Sequence, residues 1–151
     1  PSQIGQVNTG AKLSVIPIIG GSVKTVEGFS GPKFEGTVVD GADWVTADND
    51  GKRLRLNVKM LIKTNDGAVV AFSYIGIITV TPEIGLILTG DEARKTVPFG
   101  SIVSSAKFET GDPRYKEFEN NLFVGSGRFR VNDDNEKSVT VEYGLSMLIS
   151  A

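Results

Sequence analysis

Between Lys52 and Lys63 the chain alternates almost without error. Leu54, Leu56, Val58, Met60 and Ile62 fall on one face, and Arg53, Arg55, Asn57, Lys59 and Lys63 on the other, broken only by Leu61. A period of two is the signature of an extended strand with one side in the core. A slip of one residue would expose all five apolar side chains, so the pattern predicts the register as well as the strand. Thr64-Asn65-Asp66-Gly67 then turns the chain. The following run, Ala68–Thr81, is largely apolar on both faces and reads as a fully covered strand. The alternation returns at Ser138–Ser150, with Val139, Val141, Tyr143, Leu145, Met147 and Ile149 on one side.

Shorter strand candidates are Lys12–Ile19, Val23–Phe29, Phe34–Val39, Trp44–Ala47, Leu86–Leu88, Phe99–Glu109 and Leu122–Val131. Eighteen glycines in 151 residues fall mostly between these runs, and Asp40-Gly41, Asp50-Gly51 and Asp66-Gly67 read as hairpin signals. One short helix is expected over Pro113–Asn120, with Asp112 as its cap, Pro113 at its first position and Tyr115 and Phe118 on one face. Many short antiparallel strands with no linker or repeat predict one all-β domain over residues 1–151. An antiparallel barrel is favoured over a sandwich because closure removes exposed edges.

What the chain lacks limits its chemistry. It has no Cys and no His, so thiolate nucleophiles, Ser-His-Asp catalysis, disulfides, zinc ribbons and His-held metals are excluded. No metal and no cofactor is expected. Gly125-Ser126-Gly127 does not lead into a helix and makes no dinucleotide site. Asp48-Asn49-Asp50-Gly51 starts like a calcium loop, but Lys59 stands where the closing Glu belongs, so it reads as a hairpin turn. A net charge of −2 argues against a nucleic-acid partner, and the apolar runs are too short for a membrane-spanning helix. The chain starts at Pro1 without an initiator Met, which suggests trimming or truncation. It has no signal-peptide pattern or lipidation motif, and a cytoplasmic location is expected.

Three stretches carry a family resemblance. They are Gly28-Phe29-Ser30-Gly31-Pro32-Lys33-Phe34-Glu35-Gly36-Thr37-Val38-Val39-Asp40-Gly41-Ala42-Asp43-Trp44, then Thr64-Asn65-Asp66-Gly67-Ala68, then Phe108-Glu109-Thr110-Gly111-Asp112-Pro113-Arg114-Tyr115 followed by Phe123-Val124-Gly125-Ser126-Gly127-Arg128. Their order and spacing resemble the domain of unknown function 3237 family, also called the UPF0311 proteins, from about Lys12 to Leu148. The resemblance implies a compact antiparallel β-barrel of lipocalin-like (calycin-like) shape that self-associates as a homodimer or higher homo-oligomer. It implies no settled activity, although some fungal relatives look like accessory proteins of natural-product pathways. The chain departs from the family's usual pattern at Asn57, Lys59 and Met60, and again at Glu117, Phe118 and Glu119.

The candidate site combines apolar walls with few polar anchors. Asp43, Tyr74 and Tyr143 are the candidate catalytic groups: a carboxyl that an apolar mouth would make more basic, and two phenols able to donate to a carbonyl or enolate oxygen. Trp44, Phe72, Arg128 and Met147 are the candidate ligand-binding residues. Trp44, Phe72, Tyr74, Tyr143 and Met147 are expected to line an interior pocket, with Asp43 or Arg128 at its mouth. The plainer readings are a turn carboxylate, core aromatics and, for Lys107, Glu109 and Arg128, exposed ion pairs. The resulting expectation is a barrel that binds a hydrophobic small molecule resembling a natural product. As an enzyme it would be a cofactor-independent isomerase, cyclase or lyase. The alternatives are a lipocalin-type carrier without turnover, and a structural subunit whose barrel is filled by its own side chains.

Overall fold

The computed structural model describes residues 1–149. Nine antiparallel strands form one coiled sheet: β1 Ser2–Gln6, β2 Lys12–Pro17, β3 Ser22–Lys24, β4 Glu35–Ala47, β5 Arg53–Thr64, β6 Val69–Thr79, β7 Ile102–Thr110, β8 Leu122–Val131 and β9 Val139–Leu148. The order along the sheet is β1-β2-β4-β5-β6-β7-β8-β9, with β3 on the first part of β4. The sheet is barrel-like but not closed: β1 and β9 are its free edges.

The alternation in β5 sets the register as expected. Leu56, Val58 and Ile62 are buried and Leu54 and Met60 partly so, while Arg53, Arg55, Asn57, Lys59 and Lys63 face solvent. Each fully buried aliphatic side chain of this kind contributes about 1.5–3 kcal/mol by leaving water. The turn into β6 depends on Gly67, whose φ of +92° an L side chain resists, and Thr64 Oγ1 accepts the Ala68 N–H at 2.8 Å.

Three expectations are corrected. Asp40-Gly41 makes no hairpin: β4 runs straight through it as one strand, with a bulge between Val38 and Asp40. A side chain at Gly41 would come within 2.6 Å of the Met60 Cβ, so this glycine permits close strand approach rather than a turn. Leu86–Leu88 is not a strand but lies in α1, Pro82–Thr89. Thr81 caps that helix and Pro82 opens it. Ile84 and Ile87, three apart, turn inward, and Gly90 closes it with φ at 70°. β6 is covered on one face only: Val69 and Ile75 are 54% and 64% exposed, because no layer packs outside them. The helix expected over Pro113–Asn120 forms with these bounds as a 3-10 helix, with Asp112 capping the Arg114 N–H. β1 has no apolar alternation and was not anticipated.

The interior holds two clusters. At one end Phe34, Phe72, Phe108, Tyr115, Phe118 and Phe123 pack together. At the other, Val45, Leu56, Val58, Ile78, Ile84, Ile87 and Ile102 pack under α1. Met60 and Tyr74 touch both. No helix among the described residues is long and apolar enough to cross a membrane.

Candidate functional site

Strand pairing aligns Asp43, Val58, Tyr74, Ala106, Phe123 and Met147 in one cross-strand row on the inner face. Asp43 and Tyr74 therefore stand two strands apart, about 10 Å between backbones. Tyr143 belongs to a different row, opposite Gly127. Its ring nevertheless reaches Tyr74, with centroids 5.1 Å apart. Two intervening strands would normally prevent this. Here they carry the small residues Ser104, Ala106, Gly125 and Gly127 on the inner face, beside Ile102 and Phe123. A Cβ at Gly127 would lie 2.7 Å from Tyr143 Cε1, and one at Gly125 would lie 2.3 Å from Ser104 Oγ. Gly125-Ser126-Gly127 thus opens the space that Tyr143 occupies.

The ladder between β4 and β5 is interrupted after Asp43↔Val58 and resumes at Thr46↔Arg55. In the gap, Asp43 Oδ1 accepts the Asn57 N–H at 3.0 Å. Burial raises the Asp43 carboxyl above its ordinary range, and that backbone bond only partly offsets it. Tyr74 is pushed up to about 12, first by burial and then by the Asp43 charge, against a lowering interaction with Tyr143. Tyr143 is raised further, by burial first and by Tyr74 and Asp43 after it. At neutral pH both phenols are therefore protonated donors, and Asp43 is the one basic group among the three. The hydroxyls of Tyr143 and Ser104 are buried and find no partner among the described residues. An unpaired buried polar group costs about 1–3 kcal/mol. Two in one place mark this cluster as unlike the rest of the interior.

The other four candidates divide. Phe72 and Met147 are inside: Phe72 packs on Tyr74 at 5.7 Å and on Phe108 at 4.7 Å, and Met147 lies against the aromatic cluster. Trp44 and Arg128 are outside, which corrects the expected pocket. Asp43 faces in, so alternation turns Trp44 out, where it is 41% exposed. Arg128 lies between inward Gly127 and Phe129. Its guanidinium donates to Glu142 at 2.8 Å and sits 4.4 Å over the Phe99 ring. Lys107 pairs with Glu109 at 3.2 Å on the surface. Two concavities open on the outer face, and both include Trp44. One measures about 470 Å³, the other about 200 Å³. Ser104 was missed by sequence reasoning; its signal was its place two residues before Ala106 on an inward-facing run of small residues.

Comparison with known proteins finds that residues 1–148 match the family model described as a protein of unknown function, DUF3237. The chain belongs to this family. A UPF0311 protein of Rhodopseudomonas palustris is 35% identical over 81% of the chain and 74% of its own length. Another, from Clostridium acetobutylicum, is 32% identical over 82% and 74%. The crystal structure of a protein of unknown function from Clostridium acetobutylicum superposes with a TM-score of 0.68 at 28% identity, covering 97% of this chain and 89% of that one. A beta-barrel-like protein from Acinetobacter baumannii superposes with the same TM-score at 22% identity, covering 96% and 83%, and supports the fold alone.

Phe29, Phe34, Asp66, Arg114 and Tyr115, from all three stretches by which this chain resembles the DUF3237 family, meet at the aromatic end of the sheet. Phe29 stacks on Phe118 at 6.0 Å, and Phe34 meets Tyr115 edge-on at 5.4 Å. The Tyr115 hydroxyl donates to Asp66 Oδ2 at 2.6 Å, Thr64 Oγ1 donates to Asp66 Oδ1 at 2.5 Å, and Arg114 holds Asp66 at 3.0 Å. Arg114 also forks onto Asp112, at 2.9 and 2.6 Å. These motif residues clamp the 3-10 helix to the β5–β6 turn. The Asp43 cluster lies apart from that clamp.

Proposed function

We propose that this DUF3237 protein binds a small hydrophobic carbonyl compound against Asp43, Tyr74 and Tyr143 and isomerises it by moving a proton, without a cofactor. The observation that carries the reading is the buried, unpartnered Tyr143 hydroxyl beside a carboxyl made more basic by burial. Asp43 would take a proton from the carbon next to the carbonyl. The resulting enolate oxygen would accept hydrogen bonds from the protonated phenols. For a β,γ-unsaturated carbonyl compound the enolate is a dienolate, and return of the same proton to its γ-carbon gives the α,β-unsaturated isomer with no net redox change. Tyr143 stands on β9, a strand bonded on one side only, while Asp43 and Tyr74 stand on β4 and β6 within the sheet. The Phe72 ring and Met147 supply apolar contact on the inner side.

The test is α-proton exchange of 2-tetralone in deuterated buffer, followed by NMR. The parent should exchange the ketone faster than buffer alone, Asp43→Asn should fall to background, and Tyr143→Phe should lie between. Binding seen by line broadening, with exchange at the buffer rate, overturns the enzyme reading in favour of a carrier. Neither binding nor exchange overturns both.

A further inference from the structure

We infer that the groove on the outer face of β4–β7 is a second binding site, for a flat aromatic monoanion, separate from the Asp43 cluster. Register places Ala42, Lys59, Ser73 and Lys107 in one outward row, and Asp40, Leu61, Ala71 and Glu109 in the next. Small side chains at Ala42, Ala71 and Ser73 form the floor. Trp44, Lys59 and Lys107 stand around it, and the groove holds about 470 Å³. That is ample for one aromatic ring with a substituent.

The chemistry of the rim selects the occupant. Trp44 is the chain's one tryptophan, and it stands 41% exposed on the outer face of β4. A wide aromatic surface attracts another flat ring. Lys59 lines both concavities beside Trp44. It has no ion-pair partner among the described residues, whereas Lys107 is engaged by Glu109. An aromatic ring on Trp44 would place an attached carboxylate at the Lys59 ammonium, with the Ser73 hydroxyl in the same row. The acidic groups of Asp40 and Glu109 in the adjoining row would repel a second negative charge. The site therefore favours a monoanion over a dianion and over a neutral ring.

Trp44 also reports occupancy directly. Benzoate titrated into the parent should change tryptophan emission saturably, while benzyl alcohol should not, and terephthalate should bind more weakly than benzoate. Lys59→Gln, an exposed change that leaves the circular dichroism intact, should weaken benzoate binding about tenfold through loss of a charge-assisted hydrogen bond. Asp43→Asn should bind benzoate like the parent, which separates this site from the proposed reaction. No saturable change, or equal binding by Lys59→Gln, overturns the inference. So does an emission change that follows protein dilution instead of benzoate, because a second copy would then cover the groove.

Discussion

Two polar clusters in this molecule use the same residue types to opposite effect. Asp66, Tyr115, Thr64 and Arg114 form a network in which the Asp66 oxygens and the Tyr115 hydroxyl are bonded. Hydrogen bonds from Thr64 and then Tyr115 hold the Asp66 carboxyl below its ordinary range, and the Arg114 guanidinium takes Asp112 down to about 2. Asp43, Tyr74 and Tyr143 are also a carboxylate with phenols, but burial raises all three, and one hydroxyl is left without a partner. A satisfied network contributes stability and a fixed geometry. An unsatisfied one weakens the fold and leaves donors free for something else. The family stretches reach both clusters, with Asp66, Arg114 and Tyr115 in the first and Asp43 in the second, so a family signature by itself does not say which of its residues hold the fold and which are left free for chemistry.

The largest effect should come from breaking the satisfied end. Phe118 packs against Phe29, Phe34, Phe108, Tyr115 and Phe123, so Phe118→Ala should cost about 3–5 kcal/mol in urea unfolding. A loss below about 1 kcal/mol would show that the clamp does not hold this end of the sheet.

The comparison is sharpened by one substitution made twice. Tyr115→Phe removes a bonded hydroxyl and should destabilise by about 0.5–1.5 kcal/mol. Tyr143→Phe removes an unpaired buried one and should stabilise by about 1 kcal/mol. Equal signs in thermal unfolding would erase the distinction between the clusters.

The smallest effect is in the pH dependence. Asp112 has a lowered folded value, so its contribution is full above the unfolded value of 3.8 and is lost as pH falls toward about 2. Asp43 has a raised folded value, so its sign is reversed. Its ionisation costs stability as pH rises from about 3.8 through that raised value. Asp43→Asn keeps the acceptor for the Asn57 N–H and removes the charge. Above that window it should be more stable than the parent, and at pH 3 no more stable. A parent and variant with parallel profiles of unfolding free energy against pH would show that Asp43 is solvated.

Much of this was legible in the chain because it is local. Alternation in Lys52–Lys63 and in the Ser138–Ser150 run, whose last residue lies outside the described residues, set which side chains of β5 and β9 face inward, and hence that Tyr143 and Met147 do. Leu122–Val131 and the helix over Pro113–Asn120 were legible to the residue, from strand composition and from the Asp112-Pro113 cap. The Thr81-Pro82 start and Gly90 stop of α1 were equally local, but three apolar residues within it also fit a short strand.

What the sequence by itself determined is the period and therefore the facing of the alternating strands β5 and β9, together with a chemistry confined to carboxylate, phenol, hydroxyl and cation by the absence of Cys and His. Only the tertiary structure decided whether the sheet closes, that β4 runs through Asp40-Gly41 with a bulge between Val38 and Asp40, and that Trp44 and Arg128 stand outside. It also decided that Tyr143 meets Tyr74 across β7 and β8, where Gly125 and Gly127 leave room on β8. The reason is physical. Facing follows from each residue's own backbone, whereas closure, bulges and cross-strand reach depend on which strands pair and on the side chains that pairing leaves absent between them.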